Sequence, residues 1–423
     1  MTTPSSPPPP DVVLRDARLP DGSGPVDITV DDGRITAIGT STTATTVIDC
    51  SGDAVIPGLI EPHLHLDKAL LDAEEPNPDG TLAAAIEITG RLKAAFTRES
   101  VAERAGRLLE QAVTHGTTVI RAQPDVDPIV GLTGLEAMLA LRESYADLVD
   151  LQVVAFPQEG ILRSPGTEDL LVEGLRAGAD VVGGCSYQEA TLDECREHVD
   201  RVFALAERFG VPVDIHADLA DDTSDPRYAL AEHIADRTRA HGMGGRVTVG
   251  HMTSLASLVP DARKRVLGEL ADAGVAVVVL PMTDMHLGGR NDEVNVRRGI
   301  APVRALLDAG VRTGLSSNNV RNAFTPFGIA DVLDVALFLA QTSHLAGPDD
   351  MARLVTMATD DAAAIVGRGD RHGLHVGADA DLVVLAAPNA TEALLARADR
   401  RYVLKRGRVV ATTERTVQLH RRR

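Results

Sequence analysis

The sequence predicts an α/β protein in which a (β/α)8 TIM-type barrel carries a small composite β-sandwich domain formed by both chain termini. Strand-like and helix-like segments alternate through the middle of the chain, short β-like runs occur at both ends, and polar residues follow the middle strands. We expect the barrel at residues 57–372, the β-sandwich at 11–56 and 373–423, and a disordered proline-rich tail at 1–10.

Short β-like runs fill the segment from Val12 to about Ile56, and the same texture returns from about Gly377 onward. Runs such as VDITVDDGRITAIG near the start and RYVLKRGRVVAT near the end are typical of small antiparallel strands. Neither set has enough strands to bury a core alone. The two ends are therefore predicted to pack together as one domain.

The middle of the chain alternates strand-like runs with helix-period segments such as VAERAGRLLEQAVTHG and VDRVFALAERFG. The strand-like runs are, in order, AVIPGLIEPHLH, TTVIRAQ, LQVVAFP, ADVVGGC, VPVDIHAD, RVTVGHM, VAVVVLPM and VRTGLSS. Such regular alternation favours a closed parallel barrel over a doubly wound sheet.

Charge and composition restrict the classes of partner. The chain of 423 residues has a formal net charge of −19 and a sequence pI near 5.1, so nucleic acids and anionic membranes would be repelled. Aromatic residues make up only 3% of the chain, which disfavours base-stacking surfaces. No segment reaches the roughly 18 apolar residues of a membrane span. We expect a small-molecule substrate, no nucleic-acid or membrane partner, and leave a homo-oligomer open.

The cysteines Cys50, Cys185 and Cys195 are widely spaced and form no C-x-x-C pair. Neither a disulfide framework nor a thiolate zinc site is therefore indicated. The first residues have neither the basic start nor the apolar run of a signal peptide. This pattern favours a cytoplasmic protein.

The stretch PGLIEPHLHLDK at residues 57–68 contains His63 and His65 two positions apart at the end of a strand-like run. Residues i and i+2 of a strand point to the same face, so both imidazoles can converge on one point. Neutral imidazoles that converge are suited to a transition metal. An isolated H-x-H at a solvated strand end is the alternative.

In a barrel of this kind the functional residues lie at the carboxyl ends of the strands. Five of the thirteen histidines fall at such positions, which favours a metal or catalytic role over the alternative of buried core histidines. That alternative stays open for any one of the five, and His286 is the first candidate for it. The polar residues at strand ends are His63, His65, Asp125, Gln158, His216, His251, His286 and Asn318.

The sequence also resembles the amidohydrolase superfamily, and within it the cytosine deaminase branch, over nearly the whole chain after the proline-rich tail. The stretches that carry this resemblance are PGLIEPHLHLDK, LQVVAFPQEGIL, GADVVGG, VDIHADLADD, GMGGRVTVGHMTS, MHLGGR, RRGI and NNVRNAFTPFG. The resemblance implies a barrel joined to a composite β-sandwich, in agreement with the pattern of strands and helices.

The resemblance implies roles for individual residues. By it, His63, His65 and His216 correspond to metal ligands. His251 corresponds to the histidine that contacts the bound water, and Gln158 to the glutamine that reads the edge of the substrate ring. The fourth strand-like run continues as ADVVGGCSYQ and has no lysine to be carbamylated as a bridge, so one divalent ion is expected. Zinc or iron suits the N/O ligand set.

Two positions depart from the deaminase pattern. The glutamate that shuttles protons three residues after the strand-five histidine is replaced by Leu219, which carries no proton. The strand-eight aspartate is replaced in LSSNNV by Asn318 or Asn319. A carboxamide can coordinate weakly through its oxygen, and we expect Asn318 to be the ligand, but it is not a base. Cytosine is therefore not the expected substrate.

Other titratable groups lie close to these positions in the sequence. Asp218 and Asp222 flank the vacant glutamate position and are expected to act in catalysis beside His251. The alternative for both aspartates is a solvated loop or a helix N-cap. Asp284, at the end of the seventh strand, is a further nearby acid. The residues expected to bind substrate are Gln158, Asp125, His286, Lys68, Leu219 and Asn319.

Together these features predict a metal-dependent amidohydrolase that cleaves a C–N bond of a small nitrogen heterocycle, by deamination or by amide or amidine hydrolysis. An N-dealkylating or open-chain amide hydrolase is an alternative, because Leu219 makes the pocket more apolar. A non-catalytic barrel that retains the fold is a third, because Leu219 and Asn318 have lost proton-transfer groups.

Overall fold

The computed structural model describes residues 11–40 and 43–421. Its β-strands follow in chain order. They are β1 (Val12–Ala17), β2 (Val26–Asp31), β3 (Arg34–Gly39), β4 (Thr46–Asp49), β5 (Ala54–Pro57), β6 (Leu59–Leu64), β7 (Thr117–Ala122), β8 (Asp150–Ala155), β9 (Val181–Cys185), β10 (Val213–Ala217), β11 (Val247–His251), β12 (Val275–Val279), β13 (Thr313–Leu315), β14 (Leu382–Leu385), β15 (Arg400–Lys405) and β16 (Arg408–Thr412).

The helices lie mainly between the barrel strands. They are α1 (Leu82–Lys93), α2 (Arg98–Thr114), α3 (Thr133–Ser144), α4 (Thr167–Ala177), α5 (Leu192–Phe209), α6 (Ala231–Ala240), α7 (Pro260–Ala273), α8 (Pro281–Leu287), α9 (Val303–Asp308), α10 (Val332–Thr342), α11 (Pro348–Ala358), α12 (Asp360–Ile365) and α13 (Ala390–Ala396). Helix α5 shows how local sequence sets the bounds. Thr191 and Glu194 form a capping box at its start, and Gly210 ends it in a left-handed conformation.

Two small sheets form the terminal domain. One has the order β3-β2-β1-β4, and the other has the order β16-β15-β14-β5, so the second sheet unites strands from both ends of the chain. Leu14, Ile28, Val55 and Leu404 belong to one apolar cluster that contains side chains from both sheets. A composite β domain built from both termini is thereby confirmed. The exact domain bounds stay a prediction, and the tail at residues 1–10 lies outside the described residues.

Strands β6 to β13 form the predicted barrel, which is confirmed. They make one parallel sheet in which each strand pairs with the next along the chain. Leu64 bridges Asn318 between the first and last of these strands, and the His65 N–H donates to the Asn318 carbonyl oxygen at 2.8 Å. The barrel is therefore closed at the end where the predicted metal ligands lie.

A buried ion pair lies inside the barrel, close to the histidines. Arg121 of β7 is 1% exposed, and its Nη1 atom donates to Asp214 Oδ2 at 2.9 Å. The same guanidinium donates to Gln152 at 2.6 Å and to the Ile365 carbonyl oxygen at 2.9 Å. These contacts satisfy a charge that would be costly to bury alone.

No helix in the described ranges is both long and apolar enough to cross a membrane. The three cysteines are buried and unbridged.

Candidate metal and active site

Three histidine rings converge at one end of the barrel. His63 lies in β6, His65 follows that strand, and His216 lies in β10. The Nε2 atom of His216 lies 2.9 Å from Nε2 of His63 and 3.0 Å from Nε2 of His65. Each of the three residues is at most 3% exposed. The structure thus brings together the three ligands that the sequence predicted.

The outer nitrogens of two of these rings are fixed by neighbouring polar groups. His65 Nδ1 lies 3.0 Å from the carbonyl oxygen of Gln123, to which it can only donate. His63 Nδ1 lies 3.4 Å from Asp214 Oδ1, and Asp214 is itself paired with Arg121. A proton on Nδ1 of His65 leaves its Nε2 lone pair free to bind a metal, and the Asp214 carboxylate favours the same tautomer of His63.

The environment keeps all three rings neutral. Burial lowers the pKa of His63, although the hydrogen bond to Asp214 opposes that shift. Burial and the charge of Lys68 lower the pKa of His65 well below its ordinary value. Burial and the neighbouring imidazoles do the same to the pKa of His216. Neutral imidazoles each have one nitrogen lone pair that can bind a metal ion.

A buried amide oxygen completes the set of donors. Asn318 lines the same cavity as His65 and His216, and its Oδ1 atom has no hydrogen-bond partner within the described part of the chain. Three converging imidazoles and an unpartnered carboxamide oxygen form an N/O donor set that suits a divalent transition metal. The residues present therefore fit such an ion.

A second group with metal-ligand chemistry, formed by His65, Asp67 and Asp125, lies beside the first. Its Asp125 carboxylate already faces two ammonium groups. Lys68 Nζ donates to Asp125 Oδ1 at 2.6 Å, and Lys93 Nζ donates to Asp125 Oδ2 at 3.2 Å. Because these cations balance the carboxylate, the second group does not fit a further metal ion.

His251, at the end of β11, is paired with a buried acid. Its Nδ1 atom lies 2.6 Å from Asp284 Oδ1, and both residues are at most 2% exposed. Burial raises the pKa of Asp284, although the charge of His251 opposes that shift. When Nδ1 donates to Asp284, Nε2 is the unprotonated nitrogen of the neutral ring. His251 lines the cavity, so this arrangement suits a general base.

The backbone around His251 is unusual. His251 has a φ of 76°, in the left-handed region that a histidine seldom occupies. A Cβ atom on the preceding Gly250 would lie 3.0 Å from Cε1 of His63, closer than ordinary contact. A glycine at this position leaves room for the ligand ring, and the strained residue after it carries the proposed base.

Lys68 is a buried cation in the cavity wall. It is 1% exposed, and its Nζ atom donates to Gln158 Oε1 at 3.0 Å as well as to Asp125. Burial tends to raise the pKa of Asp125, but the charges of Lys68 and Lys93 outweigh this and lower it. The ion pair holds Lys68 and Gln158 side by side at the cavity.

Lys93, the last residue of α1, fastens this helix over the site. Its Nζ atom donates to Asp127 Oδ2 at 2.6 Å and to Glu159 Oε1 at 2.7 Å, in addition to Asp125. At the other end of the helix, Leu82 lines the cavity. Helix α1 therefore covers the carboxyl end of the barrel and is held by loops that follow β7 and β8.

The cavity is narrow and has one polar and one apolar side. The predicted residues that line it are His65, Lys68, Gln158, His216, Leu219, His251, Asn318 and Asn319. Its apolar wall consists of Leu82, Tyr187, Leu219, Leu287 and Phe324. Asp125 lies behind Lys68 and supports it through their ion pair.

The structure does not bring Asp218 and Asp222 to the cavity. The buried Asp218 carboxylate accepts hydrogen bonds from the backbone N–H groups of Leu230 at 2.8 Å and Ala231 at 3.2 Å, at the start of α6. The Asp222 side chain is 45% exposed and faces Arg297. This corrects the sequence-based expectation of two catalytic aspartates, because one anchors a helix and the other is solvated.

His286 also lies away from the cavity lining. It belongs to the short helix α8, where its ring packs edge-on against Phe327 with centroids 5.6 Å apart. Arg290 Nε donates to the His286 carbonyl oxygen at 2.8 Å, and its Nη2 atom lies 3.2 Å from Nδ1 of the ring. The helical geometry directs Asp284 inward and His286 outward, so the expectation that His286 binds substrate is corrected.

Several site residues were missed by sequence reasoning. Lys93 lies in a segment that carries no motif. Asn322 lies within the stretch NNVRNAFTPFG but was given no role, and Asp214 lies inside a strand. Spacing gave a signal only for Asp214, which precedes His216 by two residues and therefore faces the same side of β10.

The Amidohydrolase family matches residues 46–411 of the chain. The N-isopropylammelide isopropyl amidohydrolase of Pseudomonas sp. (strain ADP) is 30% identical over 412 residues, which cover 96% of this chain and 98% of that protein. The pterin deaminase of Rhizobium rhizogenes is 31% identical over 391 residues, which cover 91% of this chain and 87% of the relative.

Among solved structures, the 5-methylcytosine deaminase of Klebsiella pneumoniae liganded with 5-fluorocytosine superposes with a TM-score of 0.91 at 32% identity. The match covers 96% of this chain and 99% of that structure.

Proposed function

The chain belongs to the amidohydrolase family, and from this premise we propose that it hydrolyses an exocyclic C–N bond of a small oxo-substituted nitrogen heterocycle. Members of this family are hydrolases that act on C–N bonds other than peptide bonds, and this chain is one of them. The chain is therefore an enzyme and not a non-catalytic barrel. The observation that carries the proposal is the cavity in which His65, His216 and His251 face Lys68 and Gln158.

We propose one divalent ion, zinc or iron, held by His63, His65 and His216, with Asn318 as the fourth ligand. Such an ion, when bound, acts as a Lewis acid and lowers the pKa of water at the site to about 7. The support for a single ion is that the neighbouring acidic group is already balanced by Lys68 and Lys93.

The proton transfers fall to His251. Its Nε2 atom receives a proton from the attacking water, and the imidazolium that results is stabilised by the carboxylate of Asp284. The same proton then passes to the leaving nitrogen as the C–N bond breaks. A single acid–base group is used because Leu219 and Asn318 cannot transfer protons.

Substrate orientation falls to the polar side of the cavity. Lys68, Gln158 and Asn319 lie together there, and Asp125 holds the Lys68 ammonium in place. The ring is thereby positioned with the carbon under attack toward His251 and the histidine ligands.

The apolar wall favours an alkylamine as leaving group over ammonia. Leu219 packs in a cluster with Phe156 and Tyr187, and Leu82 packs against that cluster. A relative that is 30% identical is named an N-isopropylammelide isopropyl amidohydrolase, which supports a substrate with an isopropyl substituent here. Simple deamination is the second candidate, supported by the likeness to the 5-methylcytosine deaminase. Cytosine itself is not the proposed substrate.

A panel of heterocyclic amines tests the proposal. It contains oxo-pyrimidines and oxo-triazines in matched pairs that carry either an amino or an isopropylamino group, together with cytosine, lactams and ureas. We expect the metal-loaded enzyme to release amine from an isopropylamino member. Robust ammonia release from cytosine would contradict the exclusion of that substrate, and no release from any member would overturn the proposal.

A matched pair of leucine variants tests the apolar wall. Leu219→Ala should lower kcat/KM for the isopropylamino substrate about tenfold or more, while that for its amino partner changes by less than about threefold. Leu395→Ala, on the exposed side of α13, serves as the control. An equal fall in kcat/KM for both substrates would show that the isopropyl group does not contact Leu219.

We also propose a reducing cytoplasm as the compartment, because Cys50, Cys185 and Cys195 are buried and unbridged.

A further inference from the structure

We propose that the substrate presents only hydrogen-bond acceptors to the polar side of the cavity, where Lys68, Gln158 and Asn319 form a cradle of donors. This inference rests on the proposed function and specifies the chemical class of its substrate. Its basis is a set of hydrogen bonds that orients the carboxamide groups of Gln158 and Asn319.

The orientation of Gln158 is set by Lys68. Gln158 Oε1 lies 3.0 Å from Lys68 Nζ, and an ammonium group can only donate. The carboxamide oxygen therefore faces Lys68, and the NH2 group is the end of Gln158 that is directed elsewhere and can donate to a ligand. Its Nε2 atom also lies 3.8 Å from Cys185 Sγ, a weak acceptor that engages one of its two hydrogens.

Asn322 sets the orientation of Asn319 in the same way. Asn322 Oδ1 accepts hydrogen bonds from the backbone N–H groups of Phe324 at 3.0 Å and Thr325 at 3.1 Å. Its Nδ2 atom must then be the group that lies 2.8 Å from Asn319 Oδ1. Asn319 Oδ1 accepts that hydrogen bond, so Asn319 also offers its NH2 group to the cavity that it lines.

Lys68 contributes a third donor. An ammonium group carries three N–H bonds, and two of them are directed at Asp125 and Gln158. The third is free for the cavity, whose wall includes Lys68. Three donors from three segments of the chain therefore meet on one side of the cavity.

These three donors select among heterocycles by the pattern of hydrogen-bond donors and acceptors along one edge of the ring. An edge formed by an oxo group and an unprotonated or ionised ring nitrogen accepts a hydrogen bond at each atom. In a lactam edge a ring N–H lies beside the carbonyl. This N–H would face the N–H groups of the protein and would have no acceptor. We infer that the substrate is an oxo-azaheterocycle whose ring nitrogen at this edge carries no proton.

Two non-reacting ligands of similar size separate these edges. At about pH 8 the ring N–H of 6-azauracil is largely ionised, whereas uracil is largely neutral and keeps its N–H. Titration calorimetry with the metal-loaded enzyme should give a Kd for 6-azauracil at least tenfold lower than that for uracil. Equal affinities would overturn the inference.

A donor-to-acceptor swap gives the sharper test. Gln158→Glu keeps the contact with Lys68 but replaces the cavity NH2 group by an oxygen. We expect uracil to bind this variant at least fivefold more tightly than it binds the natural protein, and 6-azauracil to bind more weakly. A general repulsion of anions, or a loss of folding, would not strengthen the binding of a neutral ligand.

Asn319→Asp makes the corresponding change on the other side of the cradle and should shift the preference in the same direction. The exposed Asn291→Asp adds the same charge outside the cavity and is the control. Weaker binding of uracil to both cavity variants would overturn the inference. Neither of these ligands has an amine to lose, so their binding does not depend on the reaction. If 6-azauracil still binds more tightly than uracil but no member of the heterocycle panel releases amine, the proposed function is contradicted and the inference stays supported.

Discussion

The pairing of His251 with Asp284 determines which nitrogen of the imidazole can act on water. A carboxylate 2.6 Å from Nδ1 fixes the tautomer and stabilises the charged ring. Leu219 and Asn318 carry no titratable group, and His251 is the imidazole in the cavity lining that is not a proposed metal ligand. The chemistry of the site therefore depends strongly on this pair.

Replacement of His251 should separate catalysis from metal binding. His251→Asn removes the base without touching the proposed ligands, and kcat should fall by at least about a hundredfold while metal content persists. Asp284→Asn keeps the ring but loses its charged partner, so a smaller fall in kcat is expected. Steady-state kinetics with elemental analysis would check both. Near-normal activity of His251→Asn would assign the base to another residue.

The convergence of His63, His65 and His216 could be predicted from the sequence. Alternate residues of a strand share a face, and the carboxyl ends of all strands lie at one end of a barrel. Sequence reasoning failed for Asp218 and Asp222, because proximity to His216 along the chain does not specify direction. Asp218 has a φ of 54°, which turns its side chain away toward α6. Such a local reversal has no signature in the sequence of an aspartate-rich loop.

At the level of elements, helix α1 is held over the cavity by one apolar face and one buried cation. Ala85 and Ile88 pack in a cluster with Leu287 and Phe324, and Lys93 meets three carboxylates. No pattern in the sequence indicated that this helix covers the site. Its partners come from loops after different strands, and contacts of that kind depend on the closed barrel.

The Lys93→Met variant should show how much the ion pairs of Lys93 contribute to the free energy of unfolding. The variant leaves the buried carboxylates of Asp125 and Asp127 with less compensation, so the free energy of unfolding should fall by about 3–5 kcal/mol. Lys264→Met, on the exposed side of α7, should change it by less than about 1 kcal/mol. Denaturant titration would measure both. Equal stability of the two variants would contradict the proposed role of Lys93.

The anchoring of α6 by Asp218 predicts a dependence on pH. Burial raises the pKa of Asp218 from 3.8 to about 6, although the N–H groups of Leu230 and Ala231 oppose that shift. The folded state therefore holds this proton more tightly than the unfolded state does. The stabilisation from the protonated acid is complete below about pH 4 and is lost as the pH rises through 6.

Asp218→Asn removes this titration. The free energy of unfolding of the natural protein, minus that of the variant, should fall by about 3 kcal/mol between about pH 4 and pH 6 and stay level above. Denaturant titrations across this range would measure the difference, with Asp222→Asn as the solvated control. A difference that rises with pH would contradict the buried anchor. The pH profile of kcat should be the same for the variant and the natural protein.

At the scale of the whole molecule, the terminal β domain is locked to the barrel by a buried lysine. Lys405 of β15 donates to Asp381 at 2.6 Å, to Asp150 at 3.0 Å and to the Thr118 carbonyl oxygen at 3.0 Å. The sequence predicted both units because their hydrophobic patterns are local. It did not predict this contact, since residues 118 and 405 lie 287 positions apart in the chain.

We propose for the whole molecule that one divalent ion, held by His63, His65 and His216, serves the hydrolysis of a C–N bond. The most direct test is amine release in water enriched in oxygen-18, with an active member of the heterocycle panel. Enzyme loaded with one ion per chain should release one amine and place one labelled oxygen in each product molecule. Removal of the ion by a chelator, or His65→Ala, should abolish both, and added metal should restore only the natural protein. Amine release that persists in the chelated enzyme, or product without the label, would contradict the claim.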